Sequence, residues 1–197
     1  MKSESENQRG RVRRSKSDQL IVLDRDGVIN VDSSEYIKSA EEWRPLPGSI
    51  DAIARLCGMG FIVYVATNQA GLAKHKFSAA DLAEMHAKLN SLVEKAGGLI
   101  AGIFFCPHHP DVGCECRKPR PGLLNQIRAA HQRPIERMTF VGDSSKDIMA
   151  ALAGDCQPIL VLTGNGRQTQ RHLSADWPLI PVFADLASFA DSQTPLV

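Results

Sequence analysis

The sequence lacks any apolar stretch long enough to cross a lipid bilayer. No segment approaches the roughly 18 consecutive apolar residues that a membrane span needs, and the N-terminus has no apolar run of the kind found in secretory signal peptides. The charge is almost balanced, with 23 Lys and Arg against 22 Asp and Glu, so neither nucleic acid nor a membrane is indicated as a partner. These absences favour a cytoplasmic protein that acts on a small molecule.

Three further features are missing. No Gly-x-Gly-x-x-Gly motif follows the first apolar run, which argues against a dinucleotide-dependent dehydrogenase. No internal repeat or interior linker divides the 197 residues, so a single domain is expected. No exposed apolar stripe is evident either, and a monomer is therefore the default expectation.

Charge is unevenly distributed only at the N-terminus. Residues 1–18 carry six basic and three acidic side chains and almost nothing apolar that a fold could bury. We expect a disordered basic tail over residues 1–18 and a folded domain over residues 19–192. A basic arm that binds a phosphate-rich polymer is the alternative interpretation, and a solvated tail is favoured over it.

Five short, nearly continuous apolar runs alternate with amphipathic stretches. Such runs are typical of strands buried on both faces of a parallel sheet, and helical spacing of apolar residues predicts helices between them. The alternation predicts a single doubly wound, Rossmann-like α/β domain with a mostly parallel sheet. The strands are expected at residues 20–23, 61–65, 99–105, 138–141 and 158–162, and the helices at 47–57, 78–96, 121–131 and 144–153.

Polar residues follow the apolar runs at the points where strands would end, and ligands of such sheets bind at that edge. Asp24 and Asp26 follow the first run, and Gly27 allows a sharp turn there. Two carboxylates this close repel each other unless a cation lies between them, which favours a hard divalent metal with Asp143 as a third oxygen ligand. Two aspartates that merely cap a turn are the alternative.

Four segments of the chain resemble, in order, the motifs of the haloacid dehalogenase phosphatase superfamily. They are D-R-D-G-V-I at residues 24–29, T-N-Q at 67–69, K-P at 118–119 and G-D-S-S-K-D at 142–147. The resemblance covers residues 20 to about 166. It implies a magnesium-dependent phosphomonoesterase that forms a phosphoaspartyl intermediate.

The same resemblance implies a role for each matching residue. Asp24 is the expected nucleophile, Asp26 the acid and then the base, and Thr67 and Lys118 the groups that hold the phosphoryl oxygens. Magnesium would be ligated by Asp24, the backbone carbonyl of Asp26, and Asp143. Asp147 would orient either Lys118 or a metal-bound water, and Arg25 is expected to point away from the site.

A cluster of cysteine and histidine indicates a second metal. Cys106, His108, Cys114 and Cys116 supply the three thiolates and one imidazole of a closed tetrahedral zinc site, which would be structural. His109 could take the place of His108, and disulfides or uncommitted thiols are the alternative to zinc. Because the cluster directly precedes Lys118, zinc would order the loop that carries this lysine.

Within the superfamily, two branches carry such a zinc loop, one acting on heptose bisphosphates and one on histidinol phosphate. Residues 24–30, 67–71 and 116–122 resemble the first branch more closely. This implies removal of the 7-phosphate from a D-glycero-D-manno-heptose 1,7-bisphosphate, on the route to lipopolysaccharide heptose, with histidinol-phosphate hydrolysis as the alternative. Ala70 and Ser144 depart from the pattern, since serine and a basic residue are usual there.

The remaining expectations concern substrate contacts. About 16 residues separate Asn30 from Pro47, which is room for a flap but not for a cap domain. Arg117 is the candidate for a second phosphate, because a guanidinium matches phosphate geometry in a bidentate way. The other candidate substrate contacts are Asp32, Ser33, Ser34 and Tyr36 in the flap and Asn68 and Gln69 after the second strand.

Overall fold

The computed structural model describes residues 18–196, so the tail expected before residue 18 lies outside the described residues. Strands and helices alternate along the chain. The strands are β1 (Asp18–Leu23), β2 (Ile62–Asn68), β3 (Ile100–Cys106), β4 (Ile135–Gly142), β5 (Gln157–Val161) and β6 (Val182–Phe183). The helices are α1 (Ser49–Gly58), α2 (Ala79–Lys95), α3 (Gly122–Ala130), α4 (Ser145–Ala153), α5 (Gly166–Arg171) and α6 (Leu186–Asp191).

All six strands form one parallel sheet in the order β3-β2-β1-β4-β5-β6. The chain first builds outward from β1 to β3 and then returns to add β4 on the other side of β1. The point where the order reverses therefore lies between β1 and β4, where ligands of doubly wound sheets bind. The predicted α/β fold is confirmed.

The central strand β1 divides the core into two layers. Ile21 and Leu23 face a large apolar cluster beneath α1, α2 and α6, whereas Leu20 and Val22 face a second cluster beneath α3 and α4. This explains why the run has no polar alternation, since both faces of the strand are covered. The third run differs because β3 is an edge strand, and Phe105 is 39% exposed.

Helix boundaries agree closely with the sequence prediction where a capping residue marks them. Ser78 and Asp81 form a reciprocal capping box at the start of α2, and Ser144 and Asp147 form another at the start of α4. None of the helices formed by residues 18–196 combines the length and the apolarity that crossing a bilayer requires.

Asp18 is the residue at which the expected tail boundary and the structure differ. It begins β1 instead of ending a tail. One carboxylate oxygen lies 3.1 Å from His131 Nε2 and the other lies 3.1 Å from Arg133 Nη2. These two partners follow α3 and precede β4, so the ion pairs attach the start of the central strand to its neighbour.

Residues 24–48 connect the end of β1 to α1 without a helix or a strand. They contain turns and two isolated bridges, one between Asp26 and Asn30 and one between Asn30 and Pro45. Lys74, from the loop after β2, lies over the Tyr36 ring at 5.5 Å. The part of this connection that corresponds to the expected flap is residues 31–38, and the name flap refers to these residues below.

Candidate active site

A cavity of about 600 Å³ opens at the carboxyl ends of β1, β2, β4 and β5. Its position is the one that the polar strand ends predict. The polar residues that line it are Asp24, Arg25, Asp26, Asp32, Ser33, Tyr36, Thr67, Asn68, Gln69, Arg117, Lys118, Asp143, Ser144, Ser145, Lys146, Asp147, Asn165, Gln168, Thr169 and His172. Of the candidate contacts in the flap, Ser34 is not among the lining residues.

A buried lysine joins two of the carboxylates. Lys118 Nζ lies 2.8 Å from Asp24 Oδ1 and 2.7 Å from Asp147 Oδ1, and it donates to the backbone carbonyl of Ala66 at 3.0 Å. Burial alone would lower the pKa of Lys118, but Asp147 and Asp24 outweigh burial and raise it above its usual value. The lysine is therefore charged at neutral pH.

Asp24 has one committed and one uncommitted carboxylate oxygen. Oδ1 accepts from the backbone N–H of Arg25 at 2.7 Å and from Lys118, whereas Oδ2 has no hydrogen bond within residues 18–196. Burial raises the pKa of Asp24 well above the usual carboxyl range; Lys118 opposes this rise, and Asp147 and Asp143 add to it. The free oxygen is available to a cation or to an electrophile.

Of the two functions expected of Asp147, orienting Lys118 is the one that its contacts match. Its Oδ2 accepts from the backbone N–H of Ser144 at 3.0 Å and from the Ser144 hydroxyl at 2.6 Å, in the capping box of α4. Its Oδ1 forms an ion pair with Lys118 Nζ. The capping box therefore orients the Asp147 carboxylate, and this carboxylate in turn orients the ammonium group of Lys118.

Asp24, Asp143 and Asp147 form a cluster whose nearest carboxylate oxygens all lie within 4.8 Å of one another. Burial and the charge of Asp147 raise the pKa of Asp143 to about 7. Three carboxylates share one ammonium in this cluster, so negative charge is in excess. The residues fit a hard divalent cation, which binds oxygen donors and supplies the missing charge.

The structure contradicts the expectation that Arg25 points away from the site. Its buried guanidinium contacts both carboxylate oxygens of Asp26, with Nη2 at 2.9 and 3.0 Å, and Asn30 donates to the same carboxylate at 2.9 Å. Burial alone would raise the pKa of Asp26, but Arg25, Asn30 and Gln69 hold it below its usual value. Arg25 stands near His86 on α2, whose pKa burial lowers to about 4, so the imidazole is neutral.

The three polar residues that end β2 have different contacts. The side chain of Thr67 faces the cavity beside Asp26, and the Gln69 amide donates to Asp26 at 2.8 Å and to Thr67 at 2.9 Å. Asn68 donates to the backbone carbonyl of Lys118 and accepts from its N–H, both at 3.1 Å. Asn68 and Gln69, the expected substrate contacts, line the cavity, and their amides also bind Lys118 and Asp26.

Two cations in the cavity have no anionic partner within residues 18–196. Arg117 is half-buried, and its buried Nη1 has no hydrogen-bond partner. Lys146, in the first turn of α4, is exposed and makes no ion pair. Lys118 and Arg25 contact carboxylates, so Arg117 and Lys146 are the cavity cations of residues 18–196 that remain available to an anion.

The part of the cavity that follows the fifth strand was not predicted from the sequence. Asn165, Gln168, Thr169 and His172 line it from the loop after β5 and from α5. The same signal that marked the other strand ends was present, because Thr163-Gly164-Asn165-Gly166 follows the fifth apolar run. Lys146 was likewise not among the expected contacts.

Cys106, His108, Cys114 and Cys116 come together after β3. Neighbouring ligand atoms are 3.2–3.6 Å apart, for example 3.5 Å between the Sγ atoms of Cys106 and Cys114. These separations are near the edges of a tetrahedron with metal–ligand bonds of about 2.0–2.3 Å, so the set fits zinc. Sulfur atoms this far apart are not disulfide-bonded.

His109 does not belong to this cluster. Its Nδ1 lies 3.3 Å from an Asp111 carboxylate oxygen and accepts from the Asp111 backbone N–H at 3.4 Å. His108 is therefore the imidazole of the set. The pKa of Cys114 is lowered to about 7: burial opposes this shift, and hydrogen bonds from the neighbouring thiols and His108 produce it. A thiol of this kind is readily deprotonated, as a metal ligand must be.

The chain is similar to known phosphatases. A family model described as HAD-hydrolase-like matches residues 115–189. A D-glycero-beta-D-manno-heptose-1,7-bisphosphate 7-phosphatase of Pseudomonas putida is 52% identical over 87% of this chain and 97% of the relative. A phosphatase of the same description from Pseudomonas aeruginosa is 50% identical over 88% of this chain and 96% of the relative.

A solved structure extends the similarity to three dimensions. The crystal structure of a D,D-heptose 1,7-bisphosphate phosphatase from B. bronchiseptica, complexed with magnesium and phosphate, superposes with a TM-score of 0.83. It is 45% identical, and the match covers 88% of this chain and 96% of that one.

The crowded carboxylates predict an unusual pH dependence of stability without metal. Because folding raises the pKa of Asp143 from 3.8 to about 7, the folded protein binds more protons than the unfolded chain in that interval. The free energy of unfolding should therefore fall as pH rises from 4 to 7, by up to about 4 kcal/mol from this group. Thermal melts in EDTA from pH 5 to 8 measure this effect.

Asp143→Asn is the control for this measurement, since it removes the titrating group while conserving shape. Its melting temperature should fall less over the same pH range. Saturating Mg²⁺ should also flatten the dependence of the unchanged protein, because the cation supplies the missing positive charge. Parallel pH profiles for the two proteins in EDTA would contradict the assignment to Asp143.

Proposed function

We propose that this chain, which belongs to the D-glycero-beta-D-manno-heptose-1,7-bisphosphate 7-phosphatases of the haloacid dehalogenase superfamily, removes the 7-phosphate of such a heptose bisphosphate. The protein is a magnesium-dependent phosphatase. One observation carries the choice of substrate: Asp24 and Lys118 share their cavity with Arg117 and Lys146, two cations that have no anionic partner within residues 18–196. Identity of 52% over nearly the whole of a relative with this activity supports the same choice.

In the proposed reaction, Asp24 attacks the phosphorus atom of the 7-phosphate and forms a phosphoaspartyl intermediate. Asp26 gives a proton to the departing sugar oxygen and then takes one from the water that hydrolyses the intermediate. Covalent capture divides one difficult hydrolysis into two easier displacements. Lys118 and Thr67 hold the phosphoryl oxygens, whose negative charge Lys118 partly neutralises.

Magnesium would be held by Asp24 Oδ2, a carboxylate oxygen of Asp143 and the backbone carbonyl of Asp26. When bound, the ion supplies positive charge to the phosphoryl oxygens and to the carboxylate cluster. The protein's own part is to keep the donor oxygens of Asp24 and Asp143 next to each other. Their proximity within the cluster supports this assignment.

The second phosphate of the substrate would be bound by Arg117 and Lys146. A buried guanidinium nitrogen without a partner is costly unless a ligand completes its hydrogen bonds. Histidinol phosphate carries a single phosphate and would leave this cation unpaired. The flap residues Asp32, Ser33 and Tyr36 line the same cavity and are the proposed sugar contacts.

Zinc is the metal that we propose for the four ligands Cys106, His108, Cys114 and Cys116. The closed set leaves no open coordination position, so its part is structural. The loop that it would order runs directly into Arg117 and Lys118. Asn68 forms hydrogen bonds with the backbone of Lys118. The zinc loop and Asn68 together would position Arg117 and Lys118.

We further propose that the enzyme acts as a cytoplasmic monomer in the formation of lipopolysaccharide heptose, with a sugar phosphate as its small-molecule partner. Neither nucleic acid nor a membrane has a place in this function. The balanced charge of the whole chain supports the proposal.

Phosphate release across a substrate panel tests the proposed function. Both anomers of the heptose 1,7-bisphosphate and histidinol phosphate would be supplied with Mg²⁺, and phosphate should be released from the bisphosphate. Asp24→Asn should abolish turnover and leave the melting temperature nearly unchanged, because it removes the nucleophile and keeps its shape. Release from histidinol phosphate alone would reject the proposal.

Arg117→Ala tests how the second phosphate is recognised. A charge-assisted bond of about 1.5–3 kcal/mol would be lost, so KM for the bisphosphate should rise roughly 10- to 100-fold. KM for the heptose 7-monophosphate should change little, since it has no second phosphate. Arg117→Lys keeps the charge and should recover part of the loss. An equal rise in KM for both substrates would speak against this role.

Cys114→Ser tests the zinc assignment. The variant should lose most of its zinc, measured by mass spectrometry of the metal content, because a neutral hydroxyl replaces a thiolate ligand. Turnover should also fall, since the loop that carries Lys118 loses its order. Cys57→Ser, outside the cluster, is the matched control and should keep about one zinc per chain. Full zinc content in Cys114→Ser would refute the assignment.

A further inference from the structure

Asn165 is the residue that most closely restrains the Asp143 carboxylate. Its backbone N–H donates to Asp143 Oδ2 at 2.7 Å, and its side-chain amide donates to the same oxygen at 3.2 Å. Oδ1 of Asp143 has no hydrogen bond within residues 18–196. Oδ2 is therefore committed to Asn165, which leaves Oδ1 as the free oxygen of a carboxylate that clusters with Asp24 and Asp147.

The surrounding backbone leaves the carboxylate little freedom. Gly27 and Gly164 both have positive φ, at +82° and +53°, and a Cβ on either would lie 2.3 or 2.2 Å from Asp143 Oδ2. The Thr169 hydroxyl, on α5, donates to the backbone carbonyl of Asp143 at 2.8 Å. The two glycine turns therefore lie against the carboxylate, α5 holds the backbone of Asp143, and Asn165 supplies the directional bonds to the carboxylate.

The side-chain amide of Asn165 has a second neighbour. It lies 3.5 Å from Asp32 Oδ2 in the flap, which is a longer and weaker contact than its bond to Asp143. Two functions are thus conceivable for this side chain, one at the metal ligand and one at the flap. The shorter distance, together with the backbone bond to the same oxygen, favours the metal ligand.

We propose that Asn165 is a positioning residue for the magnesium site. Asn165 binds Asp143 Oδ2, so that Asp143 Oδ1 is presented to the magnesium ion in one orientation. Magnesium demands nearly octahedral geometry at about 2.0–2.1 Å, so a ligand that rotates freely binds it less well. Groups that orient metal ligands typically contribute about 10- to 100-fold in affinity. The inference rests on the proposed function, in which Asp143 is a ligand.

Asn165→Ala removes the side-chain donor and keeps the backbone bond, so it isolates the proposed contribution. Mg²⁺ binding to the EDTA-treated protein, measured by calorimetry without substrate, should weaken about tenfold or more. The rise in melting temperature that Mg²⁺ produces should shrink at a fixed concentration, because that rise follows the ratio of ligand concentration to Kd. At saturating Mg²⁺, kcat should return close to that of the unchanged enzyme.

Two further variants make the test specific. Gln168→Ala changes a neighbouring residue of the cavity that does not contact Asp143, and it should bind Mg²⁺ with unchanged affinity. Asn165→Ser keeps a shorter hydroxyl donor and should bind Mg²⁺ with intermediate affinity. If the alanine substitution lowers the melting temperature of the metal-free protein, Asn165→Ser provides the measurement of Mg²⁺ affinity in its place.

The outcomes separate the possible roles of Asn165. Unchanged Mg²⁺ affinity in both Asn165 variants overturns the inference, and a raised KM for substrate in those variants would then assign the side chain to the flap. If the unchanged protein hydrolyses the bisphosphate and Asp24→Asn does not, the proposed function stands whichever result Asn165→Ala gives. If the unchanged protein releases no phosphate, the proposed function itself fails.

Discussion

The ammonium group of Lys118 is the charge on which the cavity depends. Asp24, Asp143 and Asp147 gather at the carboxyl ends of neighbouring strands, and their mutual repulsion opposes the folded state. Lys118 contacts two of the three and is itself buried, so it must be held in place by other groups. The capping box of α4, the amide of Asn68 and the loop that carries the four-ligand cluster all serve that end.

Asp24 and Asp26 are two residues apart and have opposite protonation tendencies. Burial and neighbouring carboxylates raise the pKa of Asp24, whereas Arg25 and two amides lower that of Asp26. Arg25 thus favours the ionised form of Asp26, which is the form that a general base requires. The proposed role of Asp26 as general acid would require this carboxylate to take up a proton although Arg25 favours its ionised form. Arg25, the residue between the two aspartates, therefore contributes to the difference between their pKa values.

The sequence predicts this fold and much of this cavity because a change from apolar to polar residues marks the end of each strand. It could not predict where a long side chain would turn, and Arg25 folds back onto Asp26 instead of away from it. It also could not show that Asn68 would find a backbone partner in Lys118, fifty positions along the chain. Asn165 was not predicted as a site residue, because its bonds to Asp143 join positions 22 residues apart in the sequence.

The parallel order of the sheet has a consequence for the integrity of the enzyme. The cavity takes its polar and charged groups from the ends of β1, β2, β4 and β5 and from the loop after β3, so nearly every strand contributes to it. No contiguous fragment contains both Asp24 and Asp143 without also containing most of the sheet. Catalytic competence is therefore a cooperative property of the complete domain, and turnover should disappear together with the global fold, without a partly active intermediate.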